Sequence, residues 1–138
     1  MANWRLSAIQ LTSTPKPEQN LAQVQLYLQQ LSEQFGNNLP HLVALPECFA
    51  VFGGGDGLQL QHQAPLGQGD IQQRCAALAQ QFGVYLLAGS LPTSSPQPER
   101  FSASSILFAP DGSIVADYQK MHLFDVGHPI PEYPLCRY

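Results

Sequence analysis

The sequence predicts an α/β fold in which helices pack on one face of a mixed sheet. Two observations support this prediction. Strand-like and helix-like patterns alternate through residues 4–90, and a Pro110-Asp111-Gly112 turn signal follows between two further strand-like runs. Alternating strands and helices form parallel units, whereas a hairpin adds antiparallel strands. The 138 residues, 44% of them apolar, are sufficient for the core of one domain.

The first part of the chain is predicted to form a strand, a helix and a second strand. Residues 4–11 mostly alternate between apolar and polar and predict a strand. In residues 17–35, apolar side chains recur every three or four positions and Gly36 follows, which predicts an amphipathic helix with a glycine C-cap. The continuous apolar run 42–45 predicts a strand buried on both faces, with Glu47 at its carboxyl end.

The middle of the chain predicts a loop and a second helix. Residues 50–69 contain six glycines and one proline but no following Gly-Lys-Ser/Thr, so they predict a mobile loop rather than a phosphate cradle. A helical apolar stripe over residues 71–82 includes Cys75, which we therefore expect in the core. Asp70 marks the start of this helix and Gly83 its end.

The remaining segments predict the rest of the sheet. Residues 84–90 predict a compact apolar strand, and residues 92–98 a surface loop rich in proline and serine. Residues 101–109 and 113–120 predict the two strands of a hairpin joined by the Pro-Asp-Gly turn. The second hairpin strand therefore ends at Lys120.

The composition excludes several classes of partner. Charged residues make up 12% of the chain, 17 glutamines supply much of the polarity, and the net charge is −4 with no basic cluster, so a nucleic-acid partner is not expected. The sequence shows neither a signal peptide nor an apolar run long enough for a membrane helix, which predicts a cytoplasmic protein without a membrane partner. Three widely spaced cysteines without a Cys-x-x-Cys pair predict free thiols rather than disulfides or a zinc site.

Glu47 and Lys120 are the candidate catalytic residues. A carboxylate and an ammonium at the ends of apolar strands would lose hydration, so each needs a charged or reacting partner. Taken alone, Glu47 could be a solvated carboxylate at a strand end, and Lys120 a surface lysine. Amide hydrolysis needs a nucleophile, a base and a group that stabilises developing charge, and cysteine, glutamate and lysine provide these without a metal or cofactor.

At these residues the sequence resembles the nitrilase, or carbon–nitrogen hydrolase, superfamily. The matching segments, in family order, are Ala-Ile-Gln-Leu at residues 8–11, Leu-Val-Ala-Leu-Pro-Glu-Cys-Phe at 42–49, Val-Tyr-Leu-Leu-Ala-Gly-Ser at 84–90, and the hairpin from Ser-Ser-Ile-Leu-Phe-Ala-Pro-Asp-Gly at 104–112 to Tyr-Gln-Lys-Met-His-Leu-Phe-Asp at 118–125. The resemblance implies the N-terminal half of an α-β-β-α sandwich, with Glu47 as general base and Lys120 stabilising the tetrahedral intermediate. It also implies a small amide substrate and the formation of homo-oligomers.

Within this superfamily, the His-Leu-Phe-Asp continuation after Lys120 resembles the amidase-like branch. That branch hydrolyses ω-amides of small dicarboxylic acids or deaminated glutathione. His122, in the same continuation, is interpreted as a structural histidine that forms hydrogen bonds rather than as a catalytic group.

The C-terminal residues depart from the family pattern, which places a cysteine nucleophile and a second glutamate beyond the lysine. Three prolines within residues 129–134 exclude a central strand or a helix leading into Cys136, so neither Cys136 nor Glu132 is assigned a catalytic role. Cys48 is also not assigned. Neighbouring residues of a strand point in opposite directions, so Cys48 should point away from the Glu47 pocket. We therefore expect a partial hydrolase domain over residues 1–126, a divergent proline-rich tail over residues 127–138, and no nucleophile.

Two functional hypotheses follow, with an unrelated α/β binding module as a third. In the first, the chain is an amidase-type hydrolase truncated before its nucleophile and inactive as written, in which Glu47 and Lys120 are genuine site positions. In the second, it is a non-catalytic fragment that folds or acts only by pairing with another chain, because a sheet without its partner sheet exposes an apolar face and open edges.

Overall fold

The computed structural model describes residues 3–55 and 57–121, and the expectations for His122, Glu132, Cys136 and the tail lie outside these ranges. In chain order the elements are β1 Arg5–Ala8, α1 Pro17–Phe35, β2 His41–Ala44, α2 Leu58–Gln61, α3 Asp70–Phe82, β3 Tyr85–Ser94, β4 Phe101–Phe108 and β5 Ile114–Gln119. No helix within the described ranges has the length and hydropathy needed to cross a bilayer.

The five strands form one mixed sheet in the order β1-β2-β3-β4-β5. The β1–β2 and β2–β3 pairs are parallel, whereas β3–β4 and β4–β5 are antiparallel. Because parallel crossovers are right-handed, α1 and α3 lie on the same face of the sheet, where they also contact each other. This confirms the predicted α/β fold with a mixed sheet and helices on one face.

The core lies between the sheet and the two long helices. Alternate strand residues point into it, as the two-residue period of a strand requires. The buried strand side chains of this helix-covered face include Val43, Leu86, Ile106 and Phe108, and the helices contribute Leu21, Val24 and Leu28 of α1 and Ile71, Cys75 and Leu78 of α3. The predicted core position of Cys75 is confirmed.

The opposite face of the sheet, here named the open face, carries apolar side chains that no described element covers. Its members are Leu6, Leu42, Tyr85, Leu87, Leu107 and Tyr118. The prediction that residues 42–45 are buried on both faces is therefore wrong for the described residues. Val43 is fully buried against the helices, but Leu42 and Ala44 are only half-buried because they point to the open face.

The helix ends agree with the sequence. α1 begins at Pro17 and is followed by Gly36, whose N–H donates to Ser32 O at 2.8 Å. α3 ends before Gly83, which adopts the left-handed conformation with φ 63° that favours glycine at a C-cap. Most of the described residues in the glycine-rich segment 50–69 lack regular structure, although the segment contains the four-residue α2.

The predicted surface loop at residues 92–98 begins too early, because β3 continues through Pro92 to Ser94. Pro92 lies opposite Ala103 of β4, whose carbonyl accepts the N–H of Lys120 at 2.8 Å. The backbone groups of Ala103 therefore point towards β5, and Pro92 occupies a non-hydrogen-bonded pair in which its missing N–H removes no bond to β4.

Candidate active site

Glu47 lies in a sharp turn directly after β2. The N–H of Leu45 still donates to Leu87 O at 2.9 Å, as if the strand continued, but the chain then turns and Cys48 adopts a left-handed φ of 53°. The turn packs tightly on β3 at Gly89, where a Cβ atom would overlap the carbonyl oxygens of Leu45 and Pro46. Glycine at residue 89 thus lets the backbone that carries Glu47 lie directly against the sheet.

Two polar side chains hold this turn. The Ser90 hydroxyl accepts the N–H of Cys48 at 2.8 Å. Asn20, fully buried in α1, donates from Nδ2 to Ala50 O and to Thr14 O, both at 2.8 Å. Because buried amides and hydroxyls are costly without partners, these bonds fix the backbone on the C-terminal side of Glu47.

Lys120 reaches the site from the antiparallel hairpin. At the β4–β5 turn, the Asp111 carboxylate accepts the N–H of Ser113 at 2.9 Å and its hydroxyl at 2.6 Å. These two bonds lower the pKa of Asp111. At the other end of β5, the N–H of Lys120 donates to Ala103 O at 2.8 Å, which fixes the backbone from which the lysine side chain extends.

The two predicted catalytic side chains meet. Lys120 Nζ donates to Glu47 Oε1 at 2.7 Å, although the residues are 73 positions apart in sequence. The pKa of Lys120 is raised, first by this hydrogen bond and then by the negative charge of the carboxylate. The ammonium therefore remains protonated through neutral pH.

The expectation that Glu47 and Lys120 lose their hydration is wrong. The side chain of Glu47 is 64% exposed and that of Lys120 is 41% exposed. The pair lies beside the open face, since Lys120 follows Tyr118 by two residues and strand positions two apart share a face. Water therefore reaches both side chains and weakens their attraction.

The cysteines have different environments. Cys48 is half-buried and its Sγ lies 3.8 Å from the Ser90 hydroxyl. Strand alternation does not apply to Cys48, because β2 has already ended and Cys48 lies in a turn, so its exclusion as the nucleophile stays a prediction. Burial raises the pKa of the Cys75 thiol to about 12, so this thiol is neutral and unreactive. Within residues 3–55 and 57–121, no cluster of metal-ligating side chains is present.

Sequence reasoning missed the residues that support the turn. Asn20 is a polar residue next to the apolar stripe of α1, which is a signal that could have identified it. Gly89 and Ser90 follow the apolar first half of β3, and the pairing of β3 with β4 shifts register between Ala88 and Leu91. A glycine inside a strand often marks such a bulge or a close backbone contact.

The chain belongs to the carbon-nitrogen hydrolase family, because that family's profile matches residues 5–135. It is 32% identical over 127 residues to the deaminated glutathione amidase of Yersinia enterocolitica, covering 91% of this chain and 42% of that protein. It is 28% identical over 130 residues to the omega-amidase NIT2 of Xenopus tropicalis, covering 94% of this chain and 44% of that protein. The chain thus spans less than half the length of these relatives.

Solved structures share the fold. The C. elegans NitFhit protein superposes with a TM-score of 0.71 at 23% identity, covering 94% of this chain and 31% of that one. An amidase from Nesterenkonia sp. superposes with a TM-score of 0.69 at 26% identity, covering 90% of this chain and 45% of that one. Structures described as members of the nitrilase superfamily also match, so the chain is similar to them in fold, as the sequence resemblance indicated.

Proposed function

We propose that this chain carries the general base and the charge-stabilising cation of an amidase-type carbon–nitrogen hydrolase, with Glu47 as the base and Lys120 as the cation. The observation that supports this proposal is the 2.7 Å contact between Lys120 Nζ and Glu47 Oε1. Two residues from separate strand ends, 73 positions apart, form this pair in a chain that belongs to the hydrolase family.

The proposed chemistry assigns one step to each side chain. A cysteine sulfur attacks the amide carbonyl while Glu47 accepts the thiol proton, and the Lys120 ammonium stabilises the oxyanion of the tetrahedral intermediate. The C–N bond then breaks, Glu47 returns the proton to the departing ammonia, and water hydrolyses the thioester to the acid. None of the chain's three cysteines is assigned as the nucleophile, so we expect the chain as written to be inactive.

The proposed substrate class is a small amide. The relatives named deaminated glutathione amidase and omega-amidase support an ω-amide of a small dicarboxylic acid or deaminated glutathione. The net charge of −4 without a basic cluster does not favour a nucleic-acid partner. We also propose a cytoplasmic location without a membrane partner.

Ammonia release from a panel of small ω-amides tests this function. We expect no turnover by the 138-residue chain, and Glu47→Gln and Cys136→Ala should be assayed beside it. If the chain is active and both variants lose activity, Cys136 is the nucleophile, contrary to our assignment. If it is active and Glu47→Gln retains full turnover, Glu47 is not the base.

The catalytic pair can be tested without turnover. The chain has two lysines, Lys120 and Lys16, so competitive acetylation at pH 8 followed by mass spectrometry compares them within one sample. Because Glu47 raises the pKa of Lys120, Glu47→Gln should increase acetylation of Lys120 relative to Lys16. The matched control is Glu33→Gln, an exposed carboxylate on α1 that binds Gln29, and it should leave the ratio unchanged.

The open face supports a second candidate function, a non-catalytic fragment that pairs with another chain. Leu6 is 73% exposed and Tyr118 is 56% exposed on this face, and apolar surface of this kind favours association. Sedimentation of the purified chain over a range of concentrations tests this candidate. A monomer at every concentration would exclude pairing of the chain with itself.

A further inference from the structure

Ser90 occupies the irregular segment of β3 beside the turn that carries Glu47. Its hydroxyl is buried, accepts the N–H of Cys48 at 2.8 Å and lies 3.8 Å from Cys48 Sγ, to which it can donate. Ser90 therefore joins β3 to the residue that directly follows the proposed base.

The turn depends on such a contact. Among the described residues, Cys48 is the one non-glycine residue with a positive φ, at 53°. Residues with a side chain rarely adopt this conformation, and it persists only where the surrounding structure imposes it. Since Glu47 and Cys48 share a peptide bond, a change at Cys48 would move the Glu47 carboxylate.

The other anchors lie further from Glu47. On the N-terminal side, Leu45 N–H donates to Leu87 O at 2.9 Å, and on the C-terminal side Asn20 binds Ala50 O at 2.8 Å. These bonds fix the two ends of the turn, whereas the Ser90 hydroxyl binds the peptide N–H between them.

We propose that Ser90 is a positioning residue that holds the turn so that the Glu47 carboxylate meets Lys120. This inference rests on the proposed function, because it assigns Ser90 a role in assembling the Glu47–Lys120 pair. Ser90 acts through the backbone of Cys48 and does not itself contact the substrate.

Competitive acetylation of the purified chain at pH 8 tests this proposal. We expect Ser90→Ala to raise acetylation of Lys120 relative to Lys16 by about twofold or more, because a weaker ion pair increases the unprotonated fraction of the amine. Ser90→Thr keeps the hydroxyl and should restore a ratio close to that of the unmodified chain.

The matched control is Ser104→Ala, because Ser104 is also buried and its hydroxyl lies 2.6 Å from Thr93 Oγ1, in a different contact. Ser104→Ala should lower the melting temperature without changing the acetylation ratio. Native circular dichroism confirms that each variant is folded before labelling.

The outcomes separate the two proposals. If Glu47→Gln raises the ratio but Ser90→Ala leaves it unchanged, the pair exists and the positioning role of Ser90 is wrong. If Ser104→Ala raises the ratio as much as Ser90→Ala, the effect is general loosening, which also overturns the role. If Glu47→Gln itself has no effect, the Glu47–Lys120 pair is absent in solution and the proposed function fails with it.

Discussion

The helix-covered face and the open face of the sheet are built from alternate residues of the same strands. Val43, Leu86 and Ile106 on the helix-covered face are completely inaccessible to solvent. On the open face, Leu6 and Tyr118 keep more than half of their surface exposed. Both faces are apolar in sequence, so side-chain polarity does not distinguish them. The difference is that α1 and α3 cover only one face.

Because of this difference, the residues that stabilise the fold lie on one face of the sheet and the proposed catalytic pair lies beside the other. Burial of apolar surface stabilises the fold, and here that burial is concentrated on the helix-covered face. The proposed catalytic pair lies beside the open face, where Glu47 and Lys120 remain hydrated. Substitutions on the helix-covered face should therefore change the free energy of unfolding most, whereas those on the open face should mainly change association.

The largest contrast should come from two adjacent residues of β3. Leu86 is fully buried on the helix-covered face and Leu87 is half-buried on the open face. Leu86→Ala should lower the free energy of unfolding by about 2–5 kcal/mol, because it leaves a cavity in the core. Leu87→Ala should cost about 1 kcal/mol or less. Urea unfolding followed by circular dichroism measures both values.

Equal costs at the two positions would contradict the comparison. They would mean that the open face is covered in solution as completely as the helix-covered face. A concentration-dependent unfolding midpoint for Leu87→Ala would then identify another copy of the chain as the cover.

A smaller effect is expected at Gly89, where the Glu47 turn packs on the sheet. Gly89→Ala should destabilise the fold by about 1–3 kcal/mol, because the added methyl overlaps backbone carbonyls that cannot move aside easily. Gly57→Ala is the matched control, since a Cβ there meets no atom within 4 Å and its φ is −115°. It should change stability by less than about 0.5 kcal/mol, measured by thermal unfolding. Equal losses in both variants would show that the close contact at Gly89 is absent in solution.

The sequence predicted the elements whose signals are local. The apolar periodicity and terminal glycines of α1 and α3 located both helices, and the Pro-Asp-Gly turn located the hairpin. Glu47 and Lys120 were predicted because each follows an apolar strand and both lie in segments that resemble the hydrolase superfamily. The 2.7 Å distance between their side chains was not predictable, since it depends on how β2, β3, β4 and β5 pair across 73 residues.

The misses share a physical cause, which is contact between segments distant in sequence. The turn at Cys48 depends on Ser90, 42 positions away, and on the backbone space at Gly89. β3 continues past its apolar residues because pairing with β4 continues, which overrides the turn signal of Pro92. The exposed open face was expected from the family resemblance, which implied a missing partner sheet, whereas the apolar run 42–45 alone predicted burial on both faces because a sequence pattern does not show which elements cover a strand.

The free energy of unfolding at alkaline pH should show whether Cys75, on the helix-covered face, is buried in solution. Burial raises the pKa of this thiol from 9.0 to about 12, so between these values the folded state keeps a proton that the unfolded state loses. The contribution of the protonated thiol to the free energy of unfolding is fully present below pH 9. It falls by about 1.4 kcal/mol per pH unit towards pH 12. Urea unfolding of the chain and of Cys75→Ala across this range measures the difference in slope. Identical slopes would show that the thiol is hydrated in solution.

The smallest effect on stability is expected at Leu6, on the open face of β1. Leu6→Ser should change the free energy of unfolding by about 0.5 kcal/mol or less, because the side chain is already 73% exposed. The same change should reduce self-association in sedimentation velocity, since it removes apolar surface from the uncovered face. Lys16→Ser, which alters an exposed position next to α1, is the control and should leave association unchanged. If Leu6→Ser instead lowered the free energy of unfolding by as much as Leu86→Ala, Leu6 would be buried in solution. The contrast between the two faces would then hold only for a chain that has no partner on its open face.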